Sequence, residues 1–68
     1  VSRGNIATEL QRARERADLS FRVAAKAIGV GVSSIQRWED GTIAPRADEM
    51  LRAADAYKVG VETLYGRV

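Results

Sequence analysis

The chain has no cysteine and no histidine. Without cysteine there is no disulfide framework and no thiolate zinc site. Without histidine, the commonest general base and the commonest metal ligand are gone, and so is any histidine triad. No apolar run approaches the roughly 20 residues that span a bilayer. No signal-peptide pattern opens the chain. No clustered acid–base pair or glycine-rich phosphate loop is visible, so an enzyme is not expected. The sequence thus predicts a soluble, cytoplasmic protein with no cofactor, no metal and no membrane partner.

Proline occurs once, at Pro45, and there is no repeat, low-complexity segment or internal linker. The 68 residues are read as one domain spanning 1–68. A core of this size supplies only about 3–5 kcal/mol. Helix packing must carry the stability, with dimerisation as a further source. The Val1 start, and an end just past Gly66, favour a domain cut from something longer.

What is present is charge, unevenly placed. The net charge is +2, but residues 1–37 hold seven basic and three acidic groups, and residues 38–68 hold four basic and six acidic. A basic half beside an acidic half suggests a polyanion-facing surface on the first half. Ordinary solvated helix faces would look similar.

Pro45 and the glycines cut the chain into five helical stretches, near 5–17, 21–28, 32–40, 46–57 and 61–65. In the first, Ile6, Leu10, Ala13 and Ala17 form one stripe after Asn5, a plausible N-cap. The second begins after Ser20, another N-cap candidate, carries Ala24, Ala25 and Ile28, and stops at Gly29. The third stops at Gly41. Pro45 opens the fourth, with Met50, Ala53, Ala54 and Tyr57 on its apolar stripe. The fifth covers Val61 to Tyr65. No segment alternates long enough to be a strand. The expected class is all-α.

Ile28-Gly29-Val30-Gly31-Val32 joins the second and third stretches. So short a turn makes its helices cross steeply, as in a helix-turn-helix, although a generic helical hairpin fits it too. Val30 should plug the angle between them. On a wheel of about 100° per residue, Ile35 and Trp38 share one face of the third helix, while Ser33 and Arg37 fall opposite. Gln36 flanks that outer face. Arg pairs with guanine, Gln with adenine and Ser with several bases, and Val32 can touch a thymine methyl. A plain polar surface is the alternative for any one of them.

Glu39 falls on the inward side of this wheel, where an unpaired carboxylate is costly. Arg14 lies near Leu10 on the inward stripe of the first helix. The two are expected to form an ion pair between the first and third helices. Two exposed charges worth under about 1 kcal/mol are the alternative.

From Leu19 to Gly41 the chain reads LSFRVAAKAIGVGVSSIQRWEDG. This resembles the helix-turn-helix family of phage repressors, Cro proteins and xenobiotic-response-element-like bacterial regulators. The most specific pieces are Ala25, Gly29 and Ile35, then Arg37-Trp38-Glu39-Asp40-Gly41 with Pro45. The resemblance runs from about Ile6 to Gly66. It implies a compact five-helix, lambda-repressor-like bundle that binds double-stranded DNA as a Cro/C1-type regulator, most often a repressor. Its third helix would enter the major groove and its second would lie across the backbone. By position, Val32, Ser33 and Arg37 match base-reading sites, with Gln36 nearby. Arg14 and Glu39 match an internal salt bridge. Many members dimerise on palindromic sites through the last helix, which here implies Val61, Leu64 and Tyr65.

The sequence departs from the family pattern in three places. Phe21 stands where a glutamine often begins the second helix. The loop after the third helix is Thr42-Ile43-Ala44 rather than basic, with Arg46 the nearest charge. Lys58 stands where glycine is common. Phosphate contacts are therefore expected from Ser20 and the start of the second helix, and from Arg22, Lys26, Arg3 and Arg46. Arg12 and Arg16 are expected to pair with Glu9 or Glu15 along the first helix. Phe21 and the apolar loop, read as exposed, support the alternative of a protein-interaction module that keeps the fold without binding DNA.

Overall fold

Buried residues on every helix turn inward to one core, and small side chains let the helices approach closely. We describe residues 6–66 of a computed structural model. They form α1 (Ile6–Arg16), α2 (Phe21–Ile28), α3 (Val32–Asp40), α4 (Ala47–Tyr57) and α5 (Val61–Leu64). No strand occurs among the described residues. Asn5, the expected cap of α1, lies outside them.

Each helix boundary has a local cause. The Ser20 hydroxyl accepts from the Val23 N–H at 3.2 Å and starts α2. Gly29 (φ 89°) ends α2, and Gly41 (φ 83°) ends α3, in left-handed conformations that a Cβ disfavours. The N–H groups of Gly29 and Val30 both return to the Ala25 carbonyl. At α4 the helix proper begins at Ala47, so Pro45 precedes the helix and Arg46 is its cap. The Glu49 carboxylate reaches back to accept from the Arg46 N–H at 2.8 Å. α4 ends at Lys58, a non-glycine residue held at φ 58° and ψ 46°. The helix ends otherwise differ from expectation by one residue, where helices fray.

The core comprises Leu10 and Ala13 from α1, Ala24, Ala25 and Ile28 from α2, and Ile35 and Trp38 from α3. Met50, Ala53, Ala54 and Tyr57 from α4 and Leu64 from α5 complete it. Val30 packs against it from the turn between α2 and α3. α1 packs on α3 and α5, α2 packs on α3 and α4, and α4 packs on α5. This wraps the α2–turn–α3 unit on one inner side only, leaving its other side in solvent.

Leu64 corrects an expectation. It is 0% exposed within one chain, so its side chain is used by the monomer core and cannot line a dimer seam. Of the residues expected there, Val61 is half-buried against the same core and only Tyr65, 46% exposed, stands clear.

Candidate nucleic-acid interface

α3 is anchored by two side chains. Ile35 and Trp38 are fully or almost fully buried, and this fixes which face of α3 looks outward. On that outward face Val32, Ser33, Gln36 and Arg37 are all exposed. Val32 retains 38% exposure at the first position of the helix. One surface therefore offers a methyl-bearing group, a hydroxyl, an amide and a guanidinium.

α2 presents the neighbouring surface. Ser20, Arg22 and Lys26 are exposed, and Arg22 and Lys26 stand one helical turn apart. The Ser20 oxygen is committed to the cap, which leaves its O–H free to donate. The first N–H groups of α2 have no carbonyl within the helix to meet. Arg3 lies outside the described residues.

The charge pattern on this unit is sharper than the division of the chain into halves implied. From Leu19 to Trp38 the sequence has Arg22, Lys26 and Arg37 but no aspartate or glutamate. The two carboxylates that follow are both engaged. Glu39 binds Arg14. Asp40 accepts from the Thr42 N–H at 2.8 Å and closes the turn after α3. Hydrogen bonds from the Thr42 side chain and backbone, and then the Arg37 charge, hold the Asp40 carboxyl below its ordinary value.

Arg46 is less available than expected. Its Nε lies 3.6 Å from Asp48 and its Nη2 lies 3.7 Å from Glu49. It lines a shallow groove with Arg37, Ile43 and Glu49 beside the end of α3. The acidic first turn of α4 thus offsets the charge nearest the loop. Arg12 pairs with Glu9 at 3.5 Å along α1. Glu15 instead takes a hydrogen bond from Gln11 and lies 4.0 Å from Arg14.

Behind the outward face sits a polar cluster. Arg14 donates from Nε to Glu39 Oε2 at 2.7 Å and from Nη2 to Oε1 at 3.1 Å. It also donates from Nη1 to the Leu19 carbonyl at 2.8 Å. The hydrogen bond to Glu39 raises the Arg14 pKa, against the opposing effect of burial. The Arg14 guanidinium carbon lies 4.2 Å from the centre of the Phe21 ring. Phe21 is thus not the exposed apolar group the sequence suggested. It is half-buried against the core, because the α1–α2 turn brings it over Arg14. Tyr57 completes the cluster from α4. Burial pushes its phenol up to about 12, with Glu39 adding to the shift and Arg14 opposing it.

Among the described residues, no group of three or more acidic side chains could hold a metal ion, and no helix is long and apolar enough to cross a membrane.

No curated protein and no solved structure matches the chain. A family model described as a helix-turn-helix domain matches residues 5–64, which is nearly the whole chain. With five helices among the described residues and a glycine-bounded turn between α2 and α3, the chain belongs to the helix-turn-helix domain family.

Proposed function

We propose that this domain binds a short double-stranded DNA site in a sequence-specific manner, as the DNA-binding unit of a Cro/C1-type transcriptional regulator, a bacterial or phage repressor. The observation that carries the reading is the acid-free stretch from Leu19 to Trp38, whose exposed residues include Val32, Ser33, Gln36 and Arg37 on one face. In this reading α3 enters the major groove, and those four residues read base edges and methyls. Ser20, Arg22 and Lys26, with the free N–H groups of α2, grip phosphates along the flanking strand. Arg46 is a lesser contributor, because Asp48 and Glu49 compete with phosphate for it. The function is differential affinity among sequences, with no catalysis. Such a regulator works in the cytoplasm on nucleoid DNA. Pairing on a palindrome through α5 rests on Tyr65 and the rim of Val61 alone.

Amide chemical-shift mapping tests this reading. On titration with a duplex selected for binding, the largest shifts are expected at the start of α2 and along the outward face of α3. Shifts confined to α4 and α5 would refute the assigned interface.

One observation favours a second reading. Ile43 is 47% exposed and Leu51 is 60% exposed, as on a domain that docks another protein through apolar contact. Salt separates the two readings. Contacts to Z phosphates weaken with a log–log slope of about −0.9Z, whereas an apolar protein interface is far less sensitive.

A further inference from the structure

All three guanidinium nitrogens of Arg14 donate, and its guanidinium carbon lies over an aromatic ring. Its donors run to Glu39 on α3 and to the carbonyl of Leu19 in the α1–α2 turn. Its guanidinium carbon lies over the ring of Phe21, the first residue of α2. One side chain of α1 therefore touches the turn, α2 and α3 at once. A guanidinium over an aromatic face gains from the ring quadrupole, and the gain grows as water is removed. Arg14 keeps only 9% exposure.

We infer that Phe21 is a positioning residue for recognition. It holds Arg14, and through the Arg14–Glu39 pair it sets the roll of α3 relative to α2. The inference rests on the DNA-binding reading proposed above. Glu39 is two residues beyond Arg37 and three beyond Gln36, so a shift at Glu39 moves both. A roll of about 10° displaces a group about 6 Å from the helix axis by about 1 Å. That exceeds the roughly 0.5 Å window of a good hydrogen bond. A phenyl ring offers phosphate no donor. Phe21 thus acts on DNA without touching it, and its loss should weaken discrimination rather than backbone affinity.

The variants are Phe21→Met, which keeps apolar bulk without a π face, and Phe21→Tyr, which keeps the ring. Phe21→Leu serves as a second ringless variant should Met fail to fold. The first readout needs no DNA: the Arg14 Nε–H resonance, its ring-current shift and its exchange rate with water. In Phe21→Met the ring-current shift is expected to vanish and exchange to quicken about tenfold. Phe21→Tyr should match the parent. The second readout is the ratio of affinities for a selected duplex and a random one. Phe21→Met should lower that ratio about tenfold, the size of one weakened bidentate contact. Its salt slope should stay unchanged, and Phe21→Tyr should restore the ratio. An Arg14 Nε–H as protected in Phe21→Met as in the parent overturns the clamp. A released Arg14 with an unchanged ratio overturns the positioning role. If the parent itself prefers no duplex, the DNA reading fails and the recognition role falls with it, while the Nε–H readout still decides whether Phe21 holds Arg14.

Discussion

Arg14 on α1 and Glu39 on α3 meet in a two-point ion pair, with Nε 2.7 Å from Oε2 and Nη2 3.1 Å from Oε1. Their side chains keep only 11% and 7% exposure. The pair crosses from the supporting helix to the helix that carries the outward polar face. It is the chief polar link across a core built otherwise of apolar side chains.

Breaking this pair should unfold much of the protein. Removing one partner of a buried pair costs about 3–5 kcal/mol, because the other charge is stranded. That matches the roughly 3–5 kcal/mol that a core of this size supplies. Arg14→Ala or Glu39→Ala should therefore lose most helical circular dichroism at room temperature. Replacing both residues with apolar ones of similar size should recover a good part of it. A single variant that melts within a degree or two of the parent would contradict this.

Leu64 should behave as a core residue. Deleting a buried leucine side chain costs about 2–5 kcal/mol. Leu64→Ala is expected to lower the melting temperature equally at low and high protein concentration. A loss that grew on dilution would assign Leu64 to a subunit interface instead.

Lys58 is held in the left-handed region at φ 58°. That conformation costs a side-chain-bearing residue about 1 kcal/mol, which glycine avoids, although glycine also gains entropy when unfolded. Lys58→Gly should therefore stabilise the fold by about 0.5 kcal/mol, or roughly 2–4 °C in melting temperature. A lower melting temperature would show that Lys58 makes a compensating contact.

Tyr57 links stability to high pH. Its hydroxyl is buried and has no hydrogen-bond partner among the described residues. Burial pushes its pKa from 10.0 to about 12. A phenol that stays protonated longer when folded contributes stability that is complete below about pH 10, and this is lost as pH rises toward 12. Tyr57→Phe should remove that part of the alkaline loss. Near neutral pH it should fold as well as the parent or better, because it relieves an unsatisfied hydroxyl. Chemical denaturation of both proteins across pH 8 to 12 checks the sign. Equal losses for the two would contradict it.

Arg37 and Arg22 are expected to differ on DNA. Arg37→Ala should lose about 1–3 kcal/mol at one base position and relax preference there. Arg22→Ala should weaken all duplexes alike and reduce the salt slope by about 1. Identical behaviour of the two variants on selected and random duplexes would remove Arg37 from base reading.

Much of the fold has a local signature in the sequence. Ser20, Gly29 and Gly41 mark helix ends through capping chemistry that needs no tertiary information. Ile35 and Trp38 share a helical face, so their burial follows from spacing. The Arg14–Glu39 contact also has a signature, namely opposite charges on inward faces of two helices. The stack of Phe21 on Arg14 has none. It depends on how the α1–α2 turn, with Asp18 at φ 62°, brings residues seven apart face to face. Leu64 was ambiguous because periodicity on a four-residue helix cannot say whether its own chain or a partner covers an apolar residue. The engagement of Arg46 has a signature too, since Asp48 and Glu49 follow within one turn. The acid-free run from Leu19 to Trp38 is local in the sequence, and Glu9, Glu15 and Asp18 just before it mask it in any longer average.

We propose above all that the outward face of α3 reads DNA sequence. Its most direct test is selection of bound duplexes from a random pool at low and moderate salt, followed by sequencing. An enriched short motif is expected at both salts, with Arg37→Ala losing preference at one position of it. Binding that fades with salt and enriches no motif, or no binding at either salt, would contradict it.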